Sequence, residues 1–495
     1  MRSYTEKPEI HIKAKQLKSM RGGGFIDSEC NDDLFTANIK LLIASTESEL
    51  DFEMLADAFS ELIQCLRQEA TGGSLLSLYD KIPEVLKGRI ERVYDLNNQP
   101  SFRLFEALFY KSKFNTSRLQ SMRFENISSD ARPFALSTPI FDKAGTLSIC
   151  LPFKHTFYDR LFRARDVAID EEEITSLFHM LENPAFSFED FKLLFVPHIE
   201  HARPSRRSKS GVSIKYFGHA TVLIESETTN ILIDPVISYK YAGQSHRYTL
   251  ADLPDRIDYV LITHSHLDHF LFESLIQLRH KIKHIIVPRS NEGSLQDPSL
   301  KGILCELGFT SIIQTSVLDE INFDDGVIKV LPFLGEHGDL DVTSKQAYCV
   351  NINDKNILFA ADSNNIQPEM YQHIVEMIGP VDYIFIGMEC EGAPMSWLYG
   401  ALPLPHLTHA MDRSRRLDGS DCERAYQMIN TLQCKNVFIY AMGGEPWLSF
   451  ISSIVYEETS KAIIESNKLI ARCRQEGLLI ERLDHYKQID LAMKS

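Results

Sequence analysis

Apolar residues recur at helical spacing in the first third of the chain. They do so over 34–68, and the segments 80–96 and 103–112 are similar, so this part is predicted to be rich in helices. A β-like run follows at 146–153, and a helix is predicted over 171–182, where an acidic cluster suits a helix N-terminus. The pattern therefore predicts a helix-rich α+β region.

After residue 211 the pattern changes to short apolar runs that are broken by turns. Helical stretches fall between several of these runs, notably at 268–282 and 418–432. Strands at this density with interspersed helices predict two packed sheets flanked by helices, an α/β sandwich. The runs predicted as strands are 213–219, 220–226, 230–237, 258–264, 284–288, 327–333, 348–352, 356–362, 382–388 and 436–442.

A polar and basic segment separates the two patterns. Residues 201–211, HARPSRRSKSG, are nearly free of apolar side chains, which is typical of an interdomain linker. We therefore predict an N-terminal α+β domain over 1–205 and a sandwich domain over 206–495. Two domains are also the expectation for a chain of 495 residues.

Composition excludes several classes of protein. The chain has 68 acidic and 52 basic residues and a formal charge of −16, which argues against a nucleic-acid partner. No apolar stretch approaches the ~18 residues of a membrane span, and the charged start does not resemble a secretory signal. The nine cysteines are scattered without a Cys-x-x-Cys pair, as in a protein with reduced thiols. These features predict a cytoplasmic protein that does not bind membranes.

The strongest chemical signal is the segment that follows the apolar run at 258–262. It contains His264, His266, Asp268 and His269 within six positions. Alternate side chains of an extended chain share a side, so His264, His266 and Asp268 can converge while His269 turns toward a neighbouring point. Without metal they would crowd polar groups at a strand end with little to balance their burial. The segment therefore predicts a metal site, with room for two ions.

This His-x-His-x-Asp-His motif resembles that of the metallo-β-lactamase-fold superfamily. The hairpin YFGHATVLIES, the strand NILIDP with Asp234 opening a loop, and the strand NILFAAD match in the same order, so the resemblance covers roughly 213–445. It implies an αββα sandwich with one or two metals at one edge of the sheets. The fold serves many reactions, so the motif does not identify a substrate.

The resemblance also implies where further ligands lie. Asp362 ends the strand NILFAAD, where members of the superfamily place the carboxylate that bridges both metals. The loop 335–339 follows the run 327–333, where hydrolases of this fold supply a third histidine. Two residues compete there: His337 would make a zinc-type, histidine-rich site, whereas Glu336 would make the site rich in oxygen ligands.

The last ligand departs from the superfamily pattern. Many members carry a terminal histidine at the end of a late strand, but this chain has Met442 and Gly443 there. His406 and His409 are the nearest histidines, and His409 is favoured because it adjoins the Met-Asp that opens the next element. Each of them has the alternative of lining the pocket without binding metal. His219 is predicted to be structural or to contact a ligand rather than the metal.

The predicted ligand set combines carboxylates with imidazoles and has no thiolate. Mixed ligation of two nearby metals suits iron that changes oxidation state, whereas zinc is commonest with histidine and cysteine. A glutamate in place of the third histidine therefore favours two irons and activation of O2 over hydrolysis. Two zinc ions in a hydrolase of a thioester, a lactone or a phosphodiester are the alternative.

A second resemblance is narrower. The runs GEHGDLD, AADSN and 384–421 resemble the branch of the superfamily that contains the diiron β-hydroxylase of chloramphenicol biosynthesis. Members of that branch have an N-terminal domain and a glutamate among the metal ligands. The resemblance implies an O2-dependent diiron monooxygenase that hydroxylates the β-carbon of an amino acid held as a thioester on a nonribosomal peptide synthetase carrier domain. It also implies an external electron donor.

On that reading, each residue of the set has an expected role. One iron is bound by His264, His266 and Glu336, the other by Asp268, His269 and the loop histidine, with Asp362 between them. Four side chains are expected to form an apolar pocket wall, and two glutamates are expected to orient ligands. These are Met388, Met395, Trp397 and Tyr399 for the wall, and Glu389 and Glu391 for orientation.

The remaining expectations concern partners. The N-terminal domain has no catalytic constellation, so dimerisation into a homodimer, covering of the active-site mouth or docking of the carrier are its expected roles. Arg413, Arg415 and Arg416 are positioned to meet an acidic carrier domain or its phosphopantetheine phosphate. A solvated charged face is the alternative for these arginines.

Overall fold

The computed structural model describes residues 50–132, 145–197, 211–402, 407–452 and 454–492, together with a few positions between 37 and 44. Residues 201–210 of the expected linker lie outside these ranges, so the domain boundary stays a prediction.

The described part of the N-terminal region combines short helices with two antiparallel strand pairs. β1 pairs with β2, and β3 pairs with β4. The elements in chain order are α1 (Leu50–Glu69), β1 (Ile90–Tyr94), β2 (Pro100–Leu104), α2 (Glu106–Tyr110), β3 (Met122–Phe124), β4 (Leu147–Ile149), α3 (Thr156–Arg163), α4 (Glu171–His179) and α5 (Phe188–Lys192).

Some predictions for this region are confirmed and one is wrong. The helix expected after the acidic cluster is α4, and the Asp170 carboxylate accepts the Glu173 N–H at its start, at 2.8 Å. The helix expected over 80–96 does not form, since this stretch contains short 3₁₀ turns and strand β1. Pro83 and Gly88, which has a φ of 70°, interrupt the helical path.

Two seven-stranded sheets form the sandwich. The first has the order β10-β9-β8-β7-β6-β5-β18, and the second has the order β11-β12-β13-β14-β15-β16-β17. The strands are β5 (Gly211–Gly218), β6 (Thr221–Glu225), β7 (Asn230–Ile233), β8 (Ile257–Leu261), β9 (Ile282–Pro288), β10 (Ile312–Thr315), β11 (Glu320–Phe323), β12 (Gly326–Leu331), β13 (Ala347–Ile352), β14 (Lys355–Ala361), β15 (Tyr383–Gly387), β16 (Asn436–Tyr440), β17 (Leu479–Arg482) and β18 (Lys487–Ala492).

Each sheet has an antiparallel and a parallel part. β5, β6 and β7 form a meander, after which β7, β8, β9 and β10 pair in parallel. In the second sheet β12, β13 and β14 are antiparallel, and β14, β15, β16 and β17 are parallel. The carboxyl ends of parallel strands lie at one edge, where α/β proteins place their ligands. The motif after β8 and Asp362 after β14 both lie at such ends.

Helices cover the outer faces of both sheets. Apolar side chains of α6 and α7 join an outer cluster on the first sheet, while α8, α11 and α13 pack on the second. A third cluster lies between the sheets, where Ile214 and Leu261 join Val350 and Phe385. The remaining helices are α6 (Phe272–Leu278), α7 (Leu300–Glu306), α8 (Pro368–Ile378), α9 (Ser396–Tyr399), α10 (His409–Ser414), α11 (Cys422–Thr431), α12 (Ser449–Ser452) and α13 (Lys461–Gln475). This layering confirms the predicted αββα sandwich.

The N-terminal region packs closely against the first sheet. Phe157 of α3 and Phe191 of α5 belong to the same buried cluster as Leu275 of α6 and Ile285 of β9. Polar contacts reinforce it, since the Arg247 guanidinium binds the Asp130 carboxylate at 2.6 and 3.0 Å. The two regions therefore share one apolar core at this face.

No helix of the described residues is both long enough and apolar enough to cross a membrane.

Candidate metal centre

The histidine motif lies in the turn directly after β8, and the structure brings its three rings together. His264 and His269 are fully buried and His266 nearly so. The centroid of the His264 ring lies 4.1 Å from that of His269 and 4.6 Å from that of His266. Three imidazoles at this separation leave one small polar space between them.

Buried partners fix the orientation of two of these rings. The Asp234 carboxylate, just after β7, lies 2.8 Å from His269 Nδ1 and accepts hydrogen bonds from the Thr263 N–H and hydroxyl at 2.8 and 2.6 Å. The Thr263 hydroxyl donates to Asp234 and accepts from His264 Nδ1 at 3.0 Å. Both rings thus carry the proton on Nδ1, which leaves a lone pair on each Nε2. Asp234 was predicted to line the pocket or to contact a ligand, and in the structure it contacts His269, which is one of the predicted ligands.

A strained loop after β12 brings Glu336 to the motif. Its carboxylate Oε1 lies 3.3 Å from His266 Nδ1, and the side chain is almost completely buried. Glu336 has a φ of 75°, an unfavourable backbone conformation for a residue with a side chain. Lys345 Nζ donates to the Gly335 carbonyl at 2.7 Å and so holds the loop in place.

The same loop buries His337, which was the competing candidate. Its ring centroid lies 4.6 Å from that of His266, and Nδ1 is 2.7 Å from the Tyr399 hydroxyl. The structure therefore brings both candidates of this loop to His266, Glu336 through its carboxylate and His337 through ring packing. Tyr399 reaches the site as expected, but it contacts His337 as a hydrogen-bond partner.

Asp362 follows β14 and reaches the rings from the second sheet. Its Oδ2 lies 3.0 Å from His269 Nε2 and 3.6 Å from His264 Nε2. A carboxylate that faces one nitrogen of each predicted metal position is suited to a bridge between two cations.

Glu389, at the end of the next strand β15, adds a fourth carboxylate. Burial raises its pKa well above the ordinary value, and the nearby Glu336 and Asp362 carboxylates raise it further. Glu389 therefore interacts electrostatically with the Glu336 and Asp362 carboxylates, and its expected role in orienting ligands stays a prediction.

The electrostatics of the cluster suit the binding of cations. Burial raises the pKa of Glu336 well above its ordinary value, and so do Asp362 and Asp268. Burial lowers the pKa of His266 to about 4 and that of His264 well below its ordinary value. Burial alone would raise the pKa of Asp268, but the neighbouring His269 and the hydrogen bond from His219 lower it. Buried like charges in contact need a positive partner.

Buried polar atoms without a hydrogen-bond partner support the same conclusion. Among the described residues, Oε2 of Glu336 and Nε2 of four histidines are buried without a hydrogen-bond partner, and these histidines are His264, His266, His269 and His337. Buried polar atoms are nearly always paired, so unpaired ones that face a common space indicate a bound group. His264, His269 and Asp362 offer ligand atoms within 4.8 Å of one another, and His219, Asp268 and His269 form a second such group. The residues present fit two metal ions that share this space.

Several expected residues do not meet the centre. His409 begins α10 with an exposed side chain, because this short helix lies on the surface, and the expected swing of this residue to the metal is not seen. His406 lies outside the described residues. Glu391 is exposed and forms an ion pair with Lys461 at 2.7 Å, so it does not orient ligands. Trp397 is 40% exposed and Met388 belongs to the core of the second sheet, so of the expected apolar wall only Met395 and Tyr399 are buried beside the Glu336 loop.

Sequence reasoning missed two residues that support the site through contacts with its backbone. Lys345 carries the Glu336 loop, and Glu445, after β16, contacts the backbone of His219. No motif in the neighbouring sequence indicates a role in the site for either residue. A charged residue within an otherwise buried segment was the only available signal.

The fold and the site together define a metallo-β-lactamase-fold protein with a candidate centre for two metals. Two family models match the chain: the diiron non-heme beta-hydroxylase N-terminal domain over residues 1–193, and the beta-lactamase superfamily domain over residues 229–414. The chain is 36% identical to the 4-amino-L-phenylalanyl-[CmlP-peptidyl-carrier-protein] 3-hydroxylase of Streptomyces venezuelae, across 97% of this chain and 90% of that protein. This protein therefore belongs to the family of diiron non-heme β-hydroxylases.

Solved structures agree with this assignment. The crystal structure of CmlA, a diiron β-hydroxylase from Streptomyces venezuelae, matches with a TM-score of 0.90 at 34% identity, and covers 99% of this chain and 92% of that one.

A sequence relative of another kind matches only a short segment. A metal-dependent hydrolase of Exiguobacterium is 42% identical, but only over 58 residues, which are 12% of this chain and 24% of that protein. The similarity to the hydroxylase extends over both regions of the chain.

The orientation of His269 by Asp234 is testable. We expect Asp234→Asn to weaken metal binding by about 10- to 100-fold, the usual effect of losing a carboxylate that orients a ligating histidine. The amide no longer favours the Nδ1–H form that frees Nε2. Competitive chelation with a metal indicator measures the affinity. Asp258→Asn is the matched control, since Asp258 is a buried acceptor on β8 that contacts Asn230 N at 3.0 Å, and equal losses in both variants would contradict the role of Asp234.

Proposed function

We propose that this protein is a non-haem diiron monooxygenase that hydroxylates the β-carbon of an amino acid held on a peptidyl carrier protein. The observation that carries the proposal is the contact between the Glu336 carboxylate and His266 Nδ1, at 3.3 Å. A glutamate at this position makes the donor set rich in oxygen, which suits iron better than zinc. The 36% identity to a carrier-protein 3-hydroxylase supports the substrate class.

The proposed ligand set follows the contacts. His264 Nε2, His266 Nδ1 and Glu336 face one metal position, and Asp268 and His269 Nε2 face the other. Asp362 lies between them, 3.0 and 3.6 Å from the two Nε2 atoms. Counting Asp362, the second position would have three protein ligands. Glu389 is a further carboxylate whose pKa is raised by burial and by Glu336 and Asp362.

The two irons, when bound, supply the activation of O2, in which one oxygen atom enters the C–H bond and the other forms water with two external electrons and two protons. The protein contributes orientation and exclusion of water. Asp234 and Thr263 hold the rings, Lys345 holds the Glu336 loop, and buried Met395 packs on Gly338 of that loop. A carrier domain, an external electron donor and a second copy of the chain are the proposed partners.

The test is direct. The protein is produced with added iron, and the metal content, O2 consumption on chemical reduction and the mass of a loaded aminoacyl carrier are measured. About two irons per chain and the gain of one oxygen atom by the carrier-bound amino acid are expected for a diiron hydroxylase. Tightly bound zinc with hydrolysis of a thioester, lactone or phosphodiester would reject the proposal.

We further propose that the surface around α10 meets the carrier. Arg413 is exposed and Arg416 is half-buried. The protein has a net charge of −16, so these two arginines are basic residues on the surface of an acidic protein. Arg415 lies between them and donates from Nε to the Gly338 carbonyl at 2.7 Å, two residues from Glu336. Anionic groups of a carrier that bound to these arginines would lie close to the loop that carries Glu336.

Charge reversal tests this surface. We expect Arg413→Glu together with Arg416→Glu to raise the KM for the loaded carrier by about 10-fold at low salt, with a smaller effect on kcat, because a charge at the rim of an interface acts mainly on association. Steady-state turnover at several salt concentrations measures this. Lys301→Glu, an exposed lysine on α7, is the control. A KM that matches the control at every salt concentration would contradict the docking surface.

A further inference from the structure

His219 lies between the late strand β16 and the metal centre. It directly follows β5 and has a φ of 50°, so the chain turns sharply there and sends the side chain to the strand ends. The side chain is buried, and its ring centroid lies 5.1 Å from that of His269. Its geometry alone leaves two roles open, since the ring is close enough to Asp268 and His269 for all three to hold one metal.

The two hydrogen bonds of the ring decide between these roles. The backbone N–H of Gly443 donates to His219 Nδ1 at 3.2 Å, so Nδ1 carries no proton. A neutral imidazole with an unprotonated Nδ1 has its proton on Nε2. His219 Nε2 lies 3.1 Å from Asp268 Oδ2 and therefore donates to this carboxylate. A nitrogen that carries a proton has no lone pair for a metal.

Three backbone and side-chain contacts hold this arrangement. The Ala441 N–H donates to the His219 carbonyl at 3.0 Å. The buried Glu445 carboxylate accepts from the Tyr216 hydroxyl at 2.6 Å and from the His219 N–H. The segment 441–445 therefore contacts His219 through the backbone N–H groups of Ala441 and Gly443 and through the Glu445 carboxylate.

We infer that His219 is a positioning residue that orients the Asp268 carboxylate, and that the segment 441–445 fixes the ring for this purpose. The ring N–H holds one oxygen of Asp268 and leaves the carboxylate aimed at the second metal position. The segment after β16 thus acts on the centre through a hydrogen bond to His219 instead of supplying a ligand. This inference concerns metal binding and does not rest on the proposed reaction.

Two substitutions at the same position separate the roles. Asn tolerates the positive φ but is too short to reach Asp268, so His219→Asn removes the donor. Gln places an amide N–H close to the position of Nε2, so His219→Gln keeps a donor for Asp268 but removes the imidazole nitrogen. Circular dichroism and thermal midpoints establish that each variant folds.

Cobalt(II) titration of the metal-free protein is the measurement. We expect His219→Asn to bind the second cobalt about 10- to 100-fold more weakly, as for other residues that orient metal ligands. His219→Gln is expected to bind it within about 3-fold of the parent, a difference of less than 1 kcal/mol, and to keep the wavelengths of the cobalt absorption bands. His284→Gln is the matched control, since His284 lies on β9 and contacts Ser311.

Each outcome decides the inference. Loss of the second cobalt in both His219 variants, or shifted bands in His219→Gln, would make His219 a ligand and overturn it. Unchanged affinity in both variants would overturn it as well. If His219→Asn does not fold, His219→Gln decides alone, because a positioning role retains the second cobalt and a ligand role loses it.

Discussion

Replacing Glu336 by alanine is expected to release the metal on the His264 and His266 side and to slow hydroxylation by at least about 10³-fold. The carboxylate lies 3.3 Å from His266 Nδ1, and without it this position keeps two imidazoles and Asp362. Losing the metal removes several kcal/mol of transition-state stabilisation. The rate falls about tenfold for each ~1.4 kcal/mol that is lost. Iron per chain and turnover of the loaded carrier measure the effect.

His337→Ala is the matched comparison from the same loop. If Glu336 is the ligand, this variant keeps both irons, because the His337 ring then packs on His266 and bonds to the Tyr399 hydroxyl without holding a metal. Glu391→Ala, at an exposed glutamate, controls for the loss of a carboxylate near the site. Retention of both irons in Glu336→Ala together with loss in His337→Ala would make the histidine the ligand and return the site to a zinc type.

Arg279→Ala is expected to lower the free energy of unfolding by about 2–3 kcal/mol, which is below the range for a fully buried ion pair because the Asp159 side chain is 32% exposed. Arg279 is 8% exposed at the end of α6 and holds the N-terminal region to the sandwich. It pairs with both oxygens of Asp159 at 2.7 and 2.8 Å and donates to the carbonyls of Phe153, His155 and Leu307. Removing it leaves a carboxylate and three carbonyls without their donor.

Urea unfolding followed by fluorescence and by circular dichroism measures this loss. Lys87→Ala is the control, because its pair with Glu84 is exposed on both sides and contributes little to stability. Iron content measured below the unfolding transition shows whether the metal centre survives when this contact is lost. Equal stability of the two variants would mean that the apolar core alone holds the regions together.

The sandwich was predictable because its signal is local. All ten strands proposed from apolar runs after residue 211 are present, and the histidine motif lies directly after β8 as expected. A buried strand between two layers needs a continuous apolar run, which the sequence displays without reference to any other segment. The edge strands β10, β11, β17 and β18 were missed, because each is short or carries polar residues, and its pairing with a distant segment defines it.

The N-terminal region was harder to predict for the opposite reason. The apolar spacing over 80–96 looked helical, but Pro83 and Gly88 break it and the rest pairs as β1 with β2. Its apolar side chains are partly committed to the first sheet rather than to a core of their own, as Phe157 and Phe191 illustrate. Periodicity does not reveal which surface a side chain covers.

The sequence by itself determined the sandwich, the position of the motif and the residue types available for two metals, because strand burial and close ligand spacing are properties of short segments. Only the tertiary structure decided that Glu336 approaches His266, that His409 stays on the surface and that Gly443 holds His219. These outcomes depend on backbone turns with positive φ and on contacts between strand ends far apart in the chain. Such contacts arise only after the two sheets have packed.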